Sequence, residues 1–330
     1  MNLWQGVAHL LTSASIGSGW REQLINILMP IFFYYIGHEI RLATKEKATS
    51  LLAPTVAAIG GMVIPAAIFL ALSTTIALPS RTFGVTMATD LPLALAALAL
   101  FPKAVSARVR HFILVLAVAD DLGSILVLAI GFNKHFSVAW ILGQIAVIAA
   151  IHLFRKNSYV LLLVPVGWWI SLHSGFQPTV IAALMGVIVT TGSRDFYFAL
   201  EKVSYFVCIP VFLFALLSDG FSLENLALTS MNSYSYALLA ARVIGKPLGI
   251  IFGAWLAHRF WRAPSLDTKD LALVGTLGIF GLSVSMLFLH LSTGQSETIA
   301  HGTTAIIYIN AVAAIATAGW RYFFTRFTAA

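Results

Sequence analysis

Apolar segments of about the length of a membrane-spanning helix recur along almost the whole chain, separated by short polar connections. Such a helix uses about 20 apolar residues, and the pattern predicts about eleven of them. The sequence therefore predicts an all-α polytopic membrane protein. Its spans are expected near residues 23–41, 50–72, 80–101, 109–132, 137–154, 157–173, 178–192, 201–218, 233–257, 271–292 and 302–320.

These spans leave little of the chain for any other domain. Residues 1–20 are mildly apolar and contain no Lys or Arg, which is not the pattern of a secretory signal peptide. We predict an interfacial N-terminal segment over residues 1–22 and a single transmembrane transporter domain over residues 23–330.

Composition argues against a soluble enzyme, and the charge distribution indicates an orientation. Of the 330 residues, 59% are hydrophobic and 10% charged, against about 25% charged in soluble domains. Fifteen of the 20 Lys and Arg residues fall on one set of alternate connections, which the positive-inside rule makes cytoplasmic. The N-terminus is then external and the C-terminus cytoplasmic. Because the basic residues are dispersed, we expect membrane lipid and no nucleic acid as a partner.

Five ionisable side chains stand out because they lie well inside the predicted spans, away from the span ends. Each costs about 2.5–3.5 kcal/mol at the centre of a membrane helix, so such residues usually mark a functional site. Buried structural ion pairs are the alternative interpretation. The five are Asp90, Asp120, Asp121, Arg242 and Lys246.

Two of the five, Asp120 and Asp121, are neighbours in one predicted helix. Neighbouring positions differ by about 100° around a helix axis, so the two carboxylates cannot serve one face. Carboxylate oxygens bind hard cations, and the same oxygens bind protons. Competition between a proton and a cation for these oxygens is the minimal chemistry of a cation/proton exchanger.

Two predicted spans contain signals for an interrupted helix. In Ala-Thr-Asp-Leu-Pro at 88–92, Pro92 removes a helix donor, and we expect the helix to break there. Thr89 supplies a hydroxyl either to an ion or to its own helix. Small residues in the span at 271–292 predict a second interruption, although close helix packing also explains them. They are Gly275, Gly278, Gly281, Ser283 and Ser285.

Arg242 precedes Lys246 by four residues, so both project from one helix face. Lysine changes its charge on burial more readily than arginine, which makes Lys246 the better switchable partner for an aspartate. The three spans over 50–132 and the three over 233–320 begin on opposite sides of the membrane. Each group combines an interruption with ionisable residues, a pattern that predicts inverted repeats.

Four stretches of the sequence resemble the NhaA-type Na+/H+ antiporters, a resemblance that extends from about residue 24 to residue 320. It implies a protein of the bacterial plasma membrane, the inner membrane in a Gram-negative cell. The family exchanges cytoplasmic Na+ or Li+ for external H+ electrogenically, in pH and sodium homeostasis, and without a cofactor. The stretches are Ala-Ala-Ile-Gly-Gly-Met at 57–62, Ala-Thr-Asp at 88–90, Asp-Asp-Leu-Gly at 120–123 and Ile-Gly-Lys-Pro-Leu-Gly at 244–249.

The resemblance also implies roles for individual residues. Asp121 is expected to be the principal ligand of the cation and the proton, with Thr89 near the ion. Asp120 is expected to be a second titrating carboxylate and a partner of Lys246. Asp90 and Lys246 are expected to compensate the helix dipoles of two crossed, interrupted helices.

Several positions differ from the family pattern and are candidate modulators. A usual acidic residue appears as Asn26, a usual histidine as Gln177, and a usual apolar residue as Arg242, which could pair with an aspartate. Glu39 belongs either to the inner funnel or to an interfacial ion pair. We expect the chain to start after the additional N-terminal helix and dimerisation hairpin of many members, which leaves a homodimer open.

Two alternatives from other classes are open at this point. A degenerate paralogue would bind or sense ions without turnover, which Arg242 favours. An intramembrane aspartyl protease also uses two carboxylates that share a proton. Its Gly-x-Gly-Asp motif is absent from the sequence around Asp90 and Asp120.

Overall fold

The fold is all-helical wherever it is described. The computed structural model describes residues 27–28, 30–35, 37–38, 41–42, 48–76, 78–98, 101, 105–131, 138–174, 178–193, 195–203 and 231–327. Within these ranges every regular element is an α-helix or a 3-10 helix. The predicted all-α class is therefore confirmed for the described part of the chain.

The helices follow the order of the predicted spans. Residues 27–42 and 195–203 also contain helical positions. The α-helices are α1 (Ala48–Thr75), α2 (Leu91–Leu98), α3 (Ala107–Gly131), α4 (Val138–Leu153), α5 (Leu163–Ser174), α6 (Pro178–Ile188), α7 (Ser233–Trp261), α8 (Thr268–Gly278), α9 (Ser283–Ser292) and α10 (Ser296–Phe327). Two 3-10 helices, Ser80–Thr86 and Ser158–Leu162, precede α2 and α5.

Several helices are apolar enough to cross a membrane. Leu51–Thr75, Ser233–Trp261 and Ser296–Tyr322 have both the length and the hydropathy of a span, and Ala139–Leu153 and Ser158–His173 are shorter apolar helices. These segments agree with a polytopic membrane protein. The total of about eleven spans stays a prediction, because most of the predicted span at 201–218 lies outside the described residues. The interfacial segment predicted over residues 1–22 also lies outside them.

The first interruption separates the 3-10 helix at Ser80–Thr86 from α2. The interruption spans residues 87–90, and α2 begins directly after it at Leu91. The sequence predicted a break at Pro92, so the observed break lies a few residues earlier. Pro92 instead lies in the first turn of α2, where its missing amide hydrogen costs nothing because that amide has no partner within the helix.

The second interruption separates α8 from α9 at residues 279–282. The amides of Ile279 and Phe280 still bond back to Thr276 and Leu277, at 3.1 and 3.3 Å, which tightens the end of α8. The next helix restarts with a bond from the Met286 amide to the Leu282 carbonyl at 2.8 Å. The glycine-rich pattern therefore marks an interruption, as the sequence predicted.

The helical parts on either side of the first interruption each contact one helical part of the second interrupted segment. The 3-10 helix at Ser80–Thr86 packs against α9, and α2 packs against α8. Around them, α1 packs against α3 and α7, and α7 packs against α10. In addition, α3 contacts both α2 and α8, α7 contacts both the 3-10 helix and α8, and α10 contacts α8 and α9. Residues on α3 and α7 therefore lie beside both interrupted segments, and residues on α10 beside the second.

Backbone contact between glycines brings α1 and α7 together. A Cβ atom on Gly249 would overlap the carbonyl oxygen of Gly60, and a Cβ atom on Gly60 would overlap that of Gly249. One turn later, Gly253 meets the carbonyl of Val56 in the same way. Small residues of this kind allow membrane helices to approach closely. They bring the centre of α7 against α1.

We expect Gly249→Ala to lower the melting temperature of the purified protein, because its methyl group would overlap the Gly60 carbonyl. Overpacking of this type costs about 1–3 kcal/mol. Gly319→Ala is the matched control, since a Cβ atom at Gly319 meets nothing within 4 Å. Thermal unfolding in detergent compares the two variants with wild type. Equal melting temperatures for both variants would contradict this packing.

Candidate ion-binding site

A buried ion pair joins α3 to α7 beside the first interruption. Lys246 Nζ lies 2.7 Å from Asp120 Oδ2, and both side chains are completely inaccessible to solvent. The same ammonium group donates to the carbonyl oxygen of Met87. Lys246 therefore connects α3, α7 and the first interruption in a single set of contacts.

The neighbouring carboxylate, Asp121, has different surroundings. Its side chain is 1% exposed, and neither of its oxygens has a hydrogen-bond partner within the described residues. In the same part of the chain, Asp120 Oδ1 and the hydroxyl of Ser124 also have no partner. A buried carboxylate in this condition is costly unless it takes up a proton or a cation.

Asp90 and Thr89 connect the first interruption to the second. The Leu282 amide donates to Asp90 Oδ2, and the Asp90 amide donates to the Phe280 carbonyl at 3.0 Å. Thr89 Oγ1 donates to the Gly278 carbonyl at 3.1 Å. The Thr89 hydroxyl thus bonds to the other interrupted segment. The sequence left two possibilities for this hydroxyl, a bond to an ion or to its own helix.

The guanidinium group of Arg242 lies between the two interruptions. Arg242 is fully buried, and its hydrogen bonds go to four backbone carbonyls and one hydroxyl. The acceptors are Ile279 O at 3.0 Å, Val85 O at 2.6 Å, Ser285 Oγ at 2.5 Å, Phe280 O at 3.4 Å and Ala88 O.

Opposite charges therefore stand at opposite helix ends. Asp90 meets the amide before α9, where a helix N-terminus carries partial positive charge. Arg242 meets carbonyls in or just after the last turns of the 3-10 helix and α8, where helix C-termini carry partial negative charge. The sequence assigned this compensation to Asp90 and Lys246, whereas in the structure Arg242 makes most of the contacts with the negative ends.

Sequence analysis missed Asn310 on α10. Its side-chain oxygen accepts from the Gly281 amide and its side-chain amide donates to the Gly281 carbonyl, both at 3.0 Å. The second interruption thus has its backbone satisfied from a third helix. An amide inside the apolar run Ile309 to Val312 was a visible signal, because such a side chain needs a partner in a membrane helix.

The predicted site residues fall into two groups. Asp90, Thr89, Asp120, Lys246 and Arg242 are linked through the two interruptions, and Asp121 is adjacent to Asp120 on α3. The remaining candidates, Asn26, Glu39 and Gln177, lie outside the described residues. Among the described residues, no three His, Cys, Asp or Glu side chains gather as a metal centre. On α3, the buried side-chain oxygens with no hydrogen-bond partner among the described residues are Asp120 Oδ1, both oxygens of Asp121 and Ser124 Oγ.

Comparison with known proteins identifies the family. The model of the family described as Na+/H+ antiporter 1 matches residues 3–321. The chain belongs to this family. The match begins at residue 3, well before the stretches that carry the resemblance in the sequence.

Relatives in the family are similar along most of their length. The chain is 31% identical over 336 residues to Na(+)/H(+) antiporter NhaA 2 of Clavibacter michiganensis subsp. michiganensis, which covers 93% of this chain and 80% of that relative. It is 30% identical over 282 residues to Na(+)/H(+) antiporter NhaA of Enterobacter sp. (strain 638), an alignment that covers 78% of this chain and 71% of that relative. The similarity to Na(+)/H(+) antiporter NhaA 1 of Klebsiella pneumoniae is 30% over 293 residues, covering 82% and 73%.

We expect Asn310→Leu to destabilise the protein, because the Gly281 amide and carbonyl would both lose their partner. A buried backbone group without a partner costs about 1–3 kcal/mol. Thr317→Val is the control on the same helix, since Thr317 is buried and its hydroxyl donates to the Ala313 carbonyl one turn away in the same helix. Thermal unfolding of both variants tests this. A loss of stability no larger than that of Thr317→Val would contradict the role of Asn310.

Proposed function

We propose that this protein exchanges Na+ or Li+ for H+ across a bacterial plasma membrane, with Asp121 as the central ligand. The observation that carries the proposal is the burial of Asp121, at 1% exposure, with neither oxygen bonded to any described residue. Membership of the antiporter family and the names of the relatives support the same function.

A buried carboxylate such as Asp121 can be neutralised in two ways. A proton converts it to the neutral acid, and a monovalent cation pairs with the anion. Because both use the same oxygens, Asp121 binds one or the other at a time. A site that opens alternately to each side of the membrane would then exchange cytoplasmic Na+ or Li+ for external H+.

Three further side chains, Asp120, Ser124 and Thr89, supply oxygens to the proposed cation site. Asp120 Oδ1 and Ser124 Oγ have no partner in the described part of the chain, and Ser124 lies one helical turn after the two carboxylates. Thr89 donates its hydroxyl hydrogen to Gly278, which leaves its oxygen able to coordinate an ion. Hard oxygen donors of this kind suit Na+ and Li+.

The ion pair between Asp120 and Lys246 bears on how much net charge each cycle of the proposed exchange moves. A cation that approaches Asp120 competes with the Lys246 ammonium group, 2.7 Å from that carboxylate. If Asp120 and Asp121 both titrate, the two carboxylates carry more protons than the one monovalent cation that replaces them. The cycle then moves net charge, which makes it electrogenic.

The proposed architecture places this site where two inverted repeats meet. We propose that residues 50–132 and 233–320 form the repeats, with interrupted helices that cross. The contact of the 3-10 helix at Ser80–Thr86 with α9, and of α2 with α8, supports this arrangement. The positive-inside pattern supports an external N-terminus and a cytoplasmic C-terminus.

Contacts within the site argue against the alternative functions. An aspartyl dyad needs two carboxylates that face each other, whereas Asp120 is paired with Lys246 and Asp90 accepts from the Leu282 amide. Binding without turnover was favoured by Arg242 as a competitor for an aspartate. Its hydrogen bonds to backbone carbonyls and Ser285 support a role in the scaffold of the site.

We expect Asp121→Asn to reduce Na+- and Li+-driven proton movement in proteoliposomes to background, because an amide cannot exchange a proton for a cation. Asp267→Asn is the matched control, since Asp267 is exposed just before α8. A pH-sensitive dye inside the vesicles reports proton movement after addition of NaCl, LiCl or KCl. Exchange by Asp121→Asn at the rate of Asp267→Asn would overturn the proposal.

We expect Asp120→Asn to weaken the response of the exchange rate to membrane potential, because a titrating carboxylate is lost. The variant should also be less stable, since an unpaired buried charge costs about 3–5 kcal/mol. Adding Lys246→Gln should restore part of that stability. Exchange rates with and without a K+ diffusion potential, together with thermal unfolding, test both effects. A wild-type response to potential in Asp120→Asn would rule out its proposed role.

A further inference from the structure

We propose that Arg242 is a positioning residue that holds the two helix interruptions together and leaves Lys246 to respond to Asp120. The inference rests on the proposed exchange. It assigns the structural positive charge of the site to Arg242 and the positive charge that takes part in ion exchange to Lys246. Arg242 thereby sets the affinity of the site for the transported cation.

The contacts of the guanidinium group reach both interruptions at once. Nε and Nη2 donate to Ile279 and Phe280 after α8, at 3.0 and 3.4 Å. Nη1 donates to Val85 at 2.6 Å, and Nη2 also donates to Ala88. A planar group with five donors can make these bonds together, whereas an ammonium group is a single point of charge.

The chemistry of the acceptors explains why a permanent charge is tolerated in this buried position. A buried cation is costly unless it is paired and hydrogen-bonded. Here its partners are carbonyls at two helix C-termini, which carry partial negative charge, and the hydroxyl of Ser285. The charge of Arg242 is therefore matched by the backbone of both interrupted segments.

Gly281 provides the space that this arrangement needs. A Cβ atom on Gly281 would overlap the Arg242 guanidinium and crowd the Ala88 carbonyl oxygen. On its other side, Gly281 is bonded to Asn310 through both its amide and its carbonyl. The interruption, the guanidinium and α10 therefore form one packed unit with no room for a side chain at this position.

Lys246 lies one turn after Arg242 on α7 and has different partners. It donates to the Met87 carbonyl and pairs with Asp120. Since Arg242 already compensates the carbonyls of Val85, Ala88, Ile279 and Phe280, Lys246 can change its partner or its charge while those helix ends stay compensated. Loss of the Lys246 charge removes the partner of Asp120 but leaves those helix ends compensated, so we expect it to cost less stability than loss of the Arg242 charge.

The position of the ligands depends on the Arg242 contacts. Ala88 is followed directly by Thr89 and Asp90, and Phe280 accepts from the Asp90 amide. Loss of the guanidinium would release the backbone on both sides of Thr89 and Asp90. The expected result is a weaker cation site with a higher half-saturating concentration of Na+ or Li+.

The experiment compares R242K, R242Q and K246Q, with R259K as the matched control because Arg259 is exposed near the end of the same helix. Each purified protein is melted in detergent with increasing LiCl or NaCl, and Na+-driven exchange in proteoliposomes gives KM and the maximal rate. We expect R242Q to raise the half-saturating LiCl concentration and KM about ten-fold or more, as for loss of a charge-assisted hydrogen bond. R242K should lie between R242Q and wild type, and R259K should equal wild type.

Stability separates the two basic residues. Without added ions, R242Q should melt at a lower temperature than K246Q. If R242Q cannot be purified in folded form while K246Q can, that result supports the proposal. The half-saturating LiCl concentration and KM are then measured on R242K. Wild-type KM and LiCl response in R242K and R242Q would overturn it, and so would an equal or larger loss of stability in K246Q. A wild-type protein that binds LiCl without exchange would refute the proposed function, while the melting series would still decide the role of Arg242.

Discussion

Helices that stop and restart inside a protein leave amides and carbonyls with no partner in their own helix, and the structure depends on how these groups are satisfied. Asp90 accepts from the amide before α9, Arg242 donates to the carbonyls at two helix ends, and Asn310 bonds both groups of Gly281. The interruptions also bond to each other through the Asp90 amide and the Phe280 carbonyl. Asp90 and Arg242 are therefore buried at positions where backbone groups at helix ends need partners.

The same requirement makes Asp121 distinctive. Asp90, Asp120, Arg242 and Lys246 all have partners that match their charge or their donors. Asp121 is as deeply buried, yet its oxygens have no partner among the described residues. A well-compensated scaffold around one uncompensated carboxylate is what a reversible ion site needs. The scaffold keeps its shape while the occupant of that carboxylate changes.

Lys246 and Arg242 divide the contacts with the interrupted helices differently from what the family resemblance implies. Lys246 pairs with Asp120 and contacts one carbonyl of the first interruption, that of Met87. Arg242 contacts carbonyls of both interruptions. A residue that stands out in sequence as a departure from the family pattern therefore lies at the structural centre of the site. Its effect on exchange follows from the backbone it binds.

The chain's own sequence was sufficient for the helical class, the membrane character and the charged candidates, because hydropathy and the cost of burying charge are local properties. It also indicated both interruptions. The first one precedes Leu91 and is not at Pro92, because a proline is well tolerated in the first turn of a helix as well as after a helix end. The partners of Arg242 and Asn310 could not be predicted. They depend on which helix ends meet, and only the packing of α1, α7 and α10 around the two interruptions decided that.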